Sequence, residues 1–286
     1  MTQRSVRHGG YRSRMRRRAW GAMAALLALA VPGLWAGHGT AHAEVQEVRI
    51  WYVGPTEGTV WRGVEFGTHD ANLVGEFQGF VFELDPIDKE RLLEQGPQER
   101  LAVVVGTSGD HAAAISEALP EIPVFNIVSD DDELRALCRD NLFSTMPSRA
   151  MRDDAVAQFR EAQGEADVEA VAHHPEFRRY SSSDLNSRFS SYHDGAKMDE
   201  AAWTGFAALK LLGDAYPRLD QRDPEGLIDY LWELRGFDAS KGEPMSFRPD
   251  GQLLQPLWLV RGDEIKGEAP VDGDLETLGE NRCPVE

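Results

Sequence analysis

Four short runs of nearly continuous apolar residues, at 48–53, 79–84, 101–105 and 122–128, set the terms on which this chain can fold. They are rich in β-branched and aromatic side chains and lack the apolar/polar alternation of a sheet with one wet face. Strands of that kind belong in a parallel sheet covered on both sides. Helical stretches with side-chain caps lie between and after them. Asp110 precedes an alanine-rich turn ending at Pro120, and Asp130 with Glu133 has capping-box spacing ahead of Leu134 and Leu137. Ser148 follows Pro147 and leads a helix with Met151, Ala155 and Phe159 on one face, closing near Gly164. A strand–helix unit repeated in this way defines the α/β class, a parallel sheet with helices on both faces.

The second half reads differently. Helices are expected over 184–192 and 199–216, the latter with Trp203, Phe206, Ala207 and Leu211 as an apolar stripe, and another from Pro224 to Leu234. Strands at 245–248 and 255–261 flank Pro249-Asp250-Gly251, which reads as a hairpin turn. The remainder, 262–286, is acidic and glycine-bearing, and is expected to be loose unless a disulfide ties it down.

The first 43 residues stand apart. Seven arginines, from Arg4 to Arg18, precede an uncharged stretch from Ala19 to Ala36, and Ala41-His42-Ala43 comes just before Glu44. A basic region, an apolar region and an Ala-x-Ala site together describe an export signal cleaved after Ala43, which implies a periplasmic location. A membrane anchor is the alternative, weakened by Pro32, Gly33 and the alanine-heavy composition. Of 30 bases and 48 acids, seven bases and no acids fall in this leader, so the body carries 23 bases against 48 acids and sits at −25. Such a surface disfavours nucleic acid, whose phosphates need clustered Lys and Arg. Cys138 and Cys283 both lie in the body, and in an oxidising compartment two cysteines pair by default. Closing a loop that long is worth about 5 kcal/mol in the chain-entropy model. The alternative is two unrelated buried thiols.

Gly106-Thr107-Ser108 after a buried strand, Ile122-Pro123-Val124-Phe125-Asn126, the segment from Asn141 to Ser148, and the helix from Met151 to Phe159 resemble the N-terminal lobe of type I periplasmic substrate-binding proteins of ABC transporters. The branched-chain amino-acid binders are the best-known branch. Later segments are more particular: Asp184-Leu185-Asn186-Ser187-Arg188-Phe189, Trp203, Lys241-Gly242, Ser246-Phe247-Arg248 and Asp250-Gly251-Gln252-Leu253. These are similar to the subgroup associated with PQQ-dependent alcohol dehydrogenase systems, which also carries cysteines at the positions of Cys138 and near the chain end. The resemblance covers most of 48–283 and implies a periplasmic solute-binding protein. A small-molecule solute, an inner-membrane ABC permease and a periplasmic quinoprotein dehydrogenase are the implied partners. One departure accompanies it. The body is roughly a hundred residues short of a full two-lobed member, which divides the chain into a leader (1–43), a βα-repeat lobe (44–166) and a remainder (167–286) that completes the lobe and retains a reduced second one. A protein-interaction lobe without solute capture is the competing expectation.

Candidate binding residues follow from the strand ends. In a parallel sheet ligands gather at the carboxyl edge, where Thr107, Ser108, Ser129 and Ser148 all fall. The loop Gly106-Thr107-Ser108-Gly109 offers backbone N–H groups to a carboxylate or phosphate oxygen, although Asp110 would repel an anion there. Each hydroxyl has an alternative role as a helix cap. The run Asp130-Asp131-Asp132-Glu133 suits a hard cation but equally compensates a helix dipole, and adjacent His173-His174 diverge without a third ligand spaced for zinc; both are read as surface features. Catalytic signatures are missing: residue 110 is Asp where a nucleophile elbow needs Gly, and no H-E-x-x-H, Walker A or C-x-x-C occurs. His111 lies close to Ser108 but has no orienting acid. A non-enzymatic protein without cofactor or metal is expected.

Overall fold

A computed structural model describes residues 45–164 and 167–284, all within one unit spanning Ala43–Glu286. The proposed export leader lies outside the described residues. The first half runs β1 (Gln46–Val53), α1 (Gly58–Gln78), β2 (Phe80–Pro86), α2 (Lys89–Gln95), β3 (Ala102–Val105), α3 (Gly109–Ala118), β4 (Val124–Asn126), α4 (Asp132–Arg135), β5 (Leu142–Ser144) and α5 (Arg149–Gln163). Its five strands form one parallel sheet in the order β2-β1-β3-β4-β5. The inner runs are buried on both faces, with Ile50, Tyr52, Val103, Val104 and Phe125 fully enclosed, while the edge strand β2 alternates, Phe80 and Phe82 buried and Val81, Glu83 and Leu84 partly exposed. Alternate side chains of each strand feed two separate cores, Ile50, Tyr52 and Val104 on one side and Trp51, Val53 and Val103 on the other.

The second half adds β6 (Glu169–Val171), α6 (Ser182–Tyr192), α7 (Glu200–Ala215), α8 (Pro224–Glu233), β7 (Ser246–Phe247), β8 (Leu253–Leu254), β9 (Leu257–Arg261) and β10 (Glu264–Ala269). Helix α7 returns to the first half and packs against α1. Small residues at every fourth position of α1, Gly63, Gly67, Ala71 and Gly75, make that approach close. A Cβ on Gly63 would stand 1.9 Å from the Ala202 carbonyl oxygen, and one on Gly67 2.8 Å from Leu209 Cβ. Strands β10-β9-β6 form a second, antiparallel sheet, with Trp258 buried against Phe177 at 3.8 Å between ring centroids.

Several expectations are corrected. The hairpin around Pro249-Asp250-Gly251 is shorter than expected, pairing β7 with β8, while 257–261 belongs to the other sheet. Pro256 supplies no N–H to continue β8, and its carbonyl instead accepts from Lys241 Nζ at 2.7 Å. The described part of the last stretch, 262–284, is held by more than its disulfide. Part of it is β10; Gly279 N–H donates to Asp154 Oδ2 at 2.8 Å, and Arg248 donates to the Leu278 and Gly279 carbonyls at 3.2 and 2.9 Å. Cys138 and Cys283 do form a disulfide, with Cα atoms 5.5 Å apart. The motif Arg248-Pro249-Asp250-Gly251-Gln252 turns out to be architectural. Gly251, at φ +75°, sits where a Cβ would meet the Leu142 carbonyl, and its own carbonyl accepts from Ser144 N–H at 2.7 Å, extending the parallel sheet beyond β5.

Candidate binding groove

A doubly wound sheet has its crevice where the strand order reverses, here at the carboxyl ends of β1 and β3. That crevice is filled. The Tyr52 ring, fully buried, reaches between the two loops, packs at a tilt against Trp61 with 5.0 Å between centroids, and donates its hydroxyl to the Pro55 carbonyl at 3.0 Å. A Cβ on Gly54 or Gly106 would lie 2.5 or 2.6 Å from that hydroxyl, so both loops close down on it. Burial pushes the Tyr52 pKa up to about 12.

The predicted hydroxyls are engaged in local contacts. Ser108, and not Asp110, is the cap of α3, accepting from His111 N–H at 3.3 Å; Asp110 stands within the first turn. Thr107 Oγ1 lies 3.0 Å from His111 Nδ1 and is exposed. Ser129 Oγ accepts from Asp131 N–H at 3.3 Å and crowds Gly109, where a Cβ would be 2.8 Å away. Ser148 is buried and caps α5, accepting from Met151 N–H at 3.2 Å. The structure thus brings the Ser108 and Ser129 loops into contact, while the Ser148 segment is tied to the Ser129 loop through Asp132 and Arg135.

That run lies largely at the surface, as expected, with Asp131 and Glu133 exposed and Asp132 turned toward α5. Asp131, rather than Asp130, caps α4, and Asp132 Oδ1 accepts from Ala150 N–H at 3.1 Å. Arg135, 2% exposed, lies behind it, donating to the Ser129, Asp131 and Met146 carbonyls and to Gln252 Oε1. Burial lowers the Arg135 pKa to about 10 against the pull of Asp250 and Asp132. His173 and His174 are likewise buried, contrary to their surface reading. His173 stacks parallel to Trp203 and shares a 2.8 Å hydrogen bond with Asn186 Oδ1. Desolvation drops its pKa to about 3, which keeps it neutral. Lys241 lies close by, its Nζ bonded to Gln255 Oε1 at 2.7 Å and 4.1 Å from the centre of the Trp203 ring; burial holds its pKa well below the usual value.

The open space lies further along the same edge. A groove of about 860 Å³ runs between the loops after β4 and β5, helix α5, strand β6 and the start of α7. Val128, Val156, Val168 and Val171 give it apolar surface, and Arg152 and Glu200 are among its charged lining residues. Those two pair at 2.9 Å with side chains 19% and 22% exposed. Arg152 also donates to the Ala170 carbonyl at 2.6 Å, and Glu200 Oε1 accepts from Ala172 N–H, so the pair ties the parallel lobe to β6. Asp130, Asp153, Arg160 and Glu169 line it as well, so the trough is mixed, and a small solute with both an apolar part and a polar or charged end suits it. Sequence reading missed Arg152 and Glu200; the one available signal was an arginine beside Met151 on an otherwise apolar helix face.

No family model matches the chain, and no curated protein is significantly similar to it. Solved structures are. An ABC transporter substrate-binding protein of Desulfitobacterium hafniense in complex with Leu aligns with TM-score 0.60 at 14% identity, over 77% of this chain and 99% of that one. A branched chain amino acid ABC transporter periplasmic ligand-binding protein of Burkholderia xenovorans aligns with TM-score 0.65 at 10% identity, over 82% and 96%. A leucine binding protein of Thermotoga maritima aligns with TM-score 0.60 at 13% identity, over 77% and 98%. At such identities the likeness is one of fold: the chain has the α/β fold of type I periplasmic binding proteins, a parallel sheet flanked by helices.

Proposed function

We propose that this is the exported, periplasmic solute-binding component of an ABC transport system, cleaved after Ala43 and delivering its solute to an inner-membrane permease. The observation that carries the reading is the groove beside β4 and β5, lined by valines and by charged side chains that include the Arg152–Glu200 pair. The fold shared with amino-acid-binding components supports it. So does the acidic body, which suits small solutes better than nucleic acid. The role is binding rather than catalysis. The finer reading links the system to PQQ-dependent alcohol oxidation, on the strength of the Asp184–Phe189, Lys241-Gly242 and Asp250–Leu253 segments. In it the β10-β9-β6 sheet stands as a reduced second lobe against a lobe built from 44–166 and the later helices.

Calorimetry of the purified protein against leucine, isoleucine, 3,4-dihydroxybenzoate, short alcohol-derived acids and PQQ tests the reading. Saturable one-to-one binding that disappears in Arg152→Met is the expected result. No heat with any of them would sink solute capture and favour the second reading, an accessory interaction lobe. That alternative draws on the engaged state of Ser108, Ser129 and Ser148 and on the closed crevice at Tyr52.

A further inference from the structure

We propose that the outer face of α1 between His69 and Gln78 is a docking surface for a basic, amphipathic segment of a partner protein. Phe66, Asp70, Leu73 and Phe77 recur along one stripe of this helix. Helix α6 covers only its first half: Phe66 packs edge-on against Phe189 at 5.4 Å, Arg188 reaches over it to pair with Asp70, and Tyr192 stacks on His69 at 4.5 Å. There α6 ends. Beyond it Leu73 is 51%, Val74 54% and Phe77 93% exposed. Half-exposed Tyr192 borders them, and Val45 adjoins the helix end, since Gln46 N–H donates to the Gly79 carbonyl. These five make up most of the seven large hydrophobics exposed among the described residues, so the exposure is concentrated and not scattered.

Charge selects the occupant. From Gly63 to Gln78 the helix carries no Lys or Arg; Asp70 is already paired with Arg188, and Glu47 at the start of β1 lies 3.8 Å from Arg49, so Glu65 and exposed Glu76 carry the negative charge of the rim. A second copy would bring the same acids against these, on bodies each near −25, and an anionic bilayer would be repelled in the same way. A segment with large apolar side chains one helical turn apart and Lys or Arg at its flanks matches both the stripe and its rim. The surface adjoins the amino-terminal ends of β1 and β2, the opposite end of the sheet from the groove. Docking there leaves the groove free and does not rest on solute capture.

The test uses the purified protein and a fluorescein-labelled amphipathic helical peptide of Leu and Lys, with a Leu and Glu peptide as control, read by fluorescence anisotropy. Saturable micromolar binding of the basic peptide is expected, weakening as salt rises. Phe77→Ser and Leu73→Ser, which leave the charge unchanged, should each lower the affinity at least tenfold while the thermal midpoint holds. Equal affinity in wild type and Phe77→Ser, or no binding, overturns the proposal. So does a concentration-dependent dimer abolished by Phe77→Ser, which would make a second copy the occupant, or cosedimentation with phosphatidylglycerol vesicles, which would make it a membrane.

Discussion

Two places on one sheet edge look alike in sequence and differ in structure. At the carboxyl ends of β1 and β3, glycines and hydroxyls crowd a short loop, yet Tyr52 fills the crevice and the hydroxyls cap helices. At the carboxyl ends of β4 and β5, the loops carry acids and Met146, yet a groove of about 860 Å³ stands open with a salt bridge in its lining. A loop rich in donors is a site only if its donors are unspent and its space is unfilled. The same strand-to-helix chemistry that makes such loops recognisable consumes their hydrogen bonds as caps.

The largest expected effect breaks the contrast at its closed end. Tyr52→Ala removes a fully buried ring that three neighbours are shaped around, Gly54, Gly106 and Trp61. Urea denaturation should show a loss of about 3–5 kcal/mol, the usual cost of deleting a buried aromatic. A loss below about 1 kcal/mol would mean that the loops can collapse into the space and that Tyr52 is no plug.

A pH dependence sharpens the same point. The Tyr52 hydroxyl titrates near 12 when folded and near 10 when unfolded, so the folded state holds its proton while the unfolded chain loses it. Stability is unaffected by this group below pH 10 and falls as pH rises from 10 toward 12, by about 2–3 kcal/mol for a shift of that size. Tyr52→Phe should remove that part of the alkaline decline. Identical alkaline unfolding profiles for the two proteins would place the hydroxyl in contact with water.

At the open end, Arg152→Met leaves the partly buried Glu200 carboxylate with Ala172 N–H and frees the Ala170 carbonyl. A cost of about 1–3 kcal/mol is expected from the stranded groups, together with loss of any solute bound in the groove. Full stability would show that the pair does not hold β6 to the lobe.

How far these features could be read in advance depends on how local their causes are. The parallel strands were legible because each is a continuous apolar run whose burial needs no partner to be guessed. Helix α1 was not, because its packing face is a ridge of Gly63, Gly67, Ala71 and Gly75, invisible to a search for large apolar side chains and meaningful only once α7 lies against it. His173 and His174 were read as surface features because adjacent imidazoles diverge and no third zinc ligand is spaced for them, although Ala170-Val171-Ala172 just before them is an apolar run. The groove was the least legible feature of all. Asp130, Arg152, Val171 and Glu200 come from four separate segments, and the folded topology alone brings them to one trough.

The smallest effect separates the two places most cleanly. Ser108→Ala and Ser148→Ala each delete a helix cap, and each should cost about 1 kcal/mol, with Ser148 at the upper end because its partner N–H is buried with it. Neither hydroxyl lines the groove. Affinity for a solute held there should therefore stay within about twofold of wild type, since deleting a cap hydroxyl that is not part of the lining removes no contact with the solute. A tenfold loss of affinity at unchanged fold would instead make these hydroxyls ligands. It would move the binding site back to the loop after β3 and require Tyr52 to swing out of the crevice when solute enters.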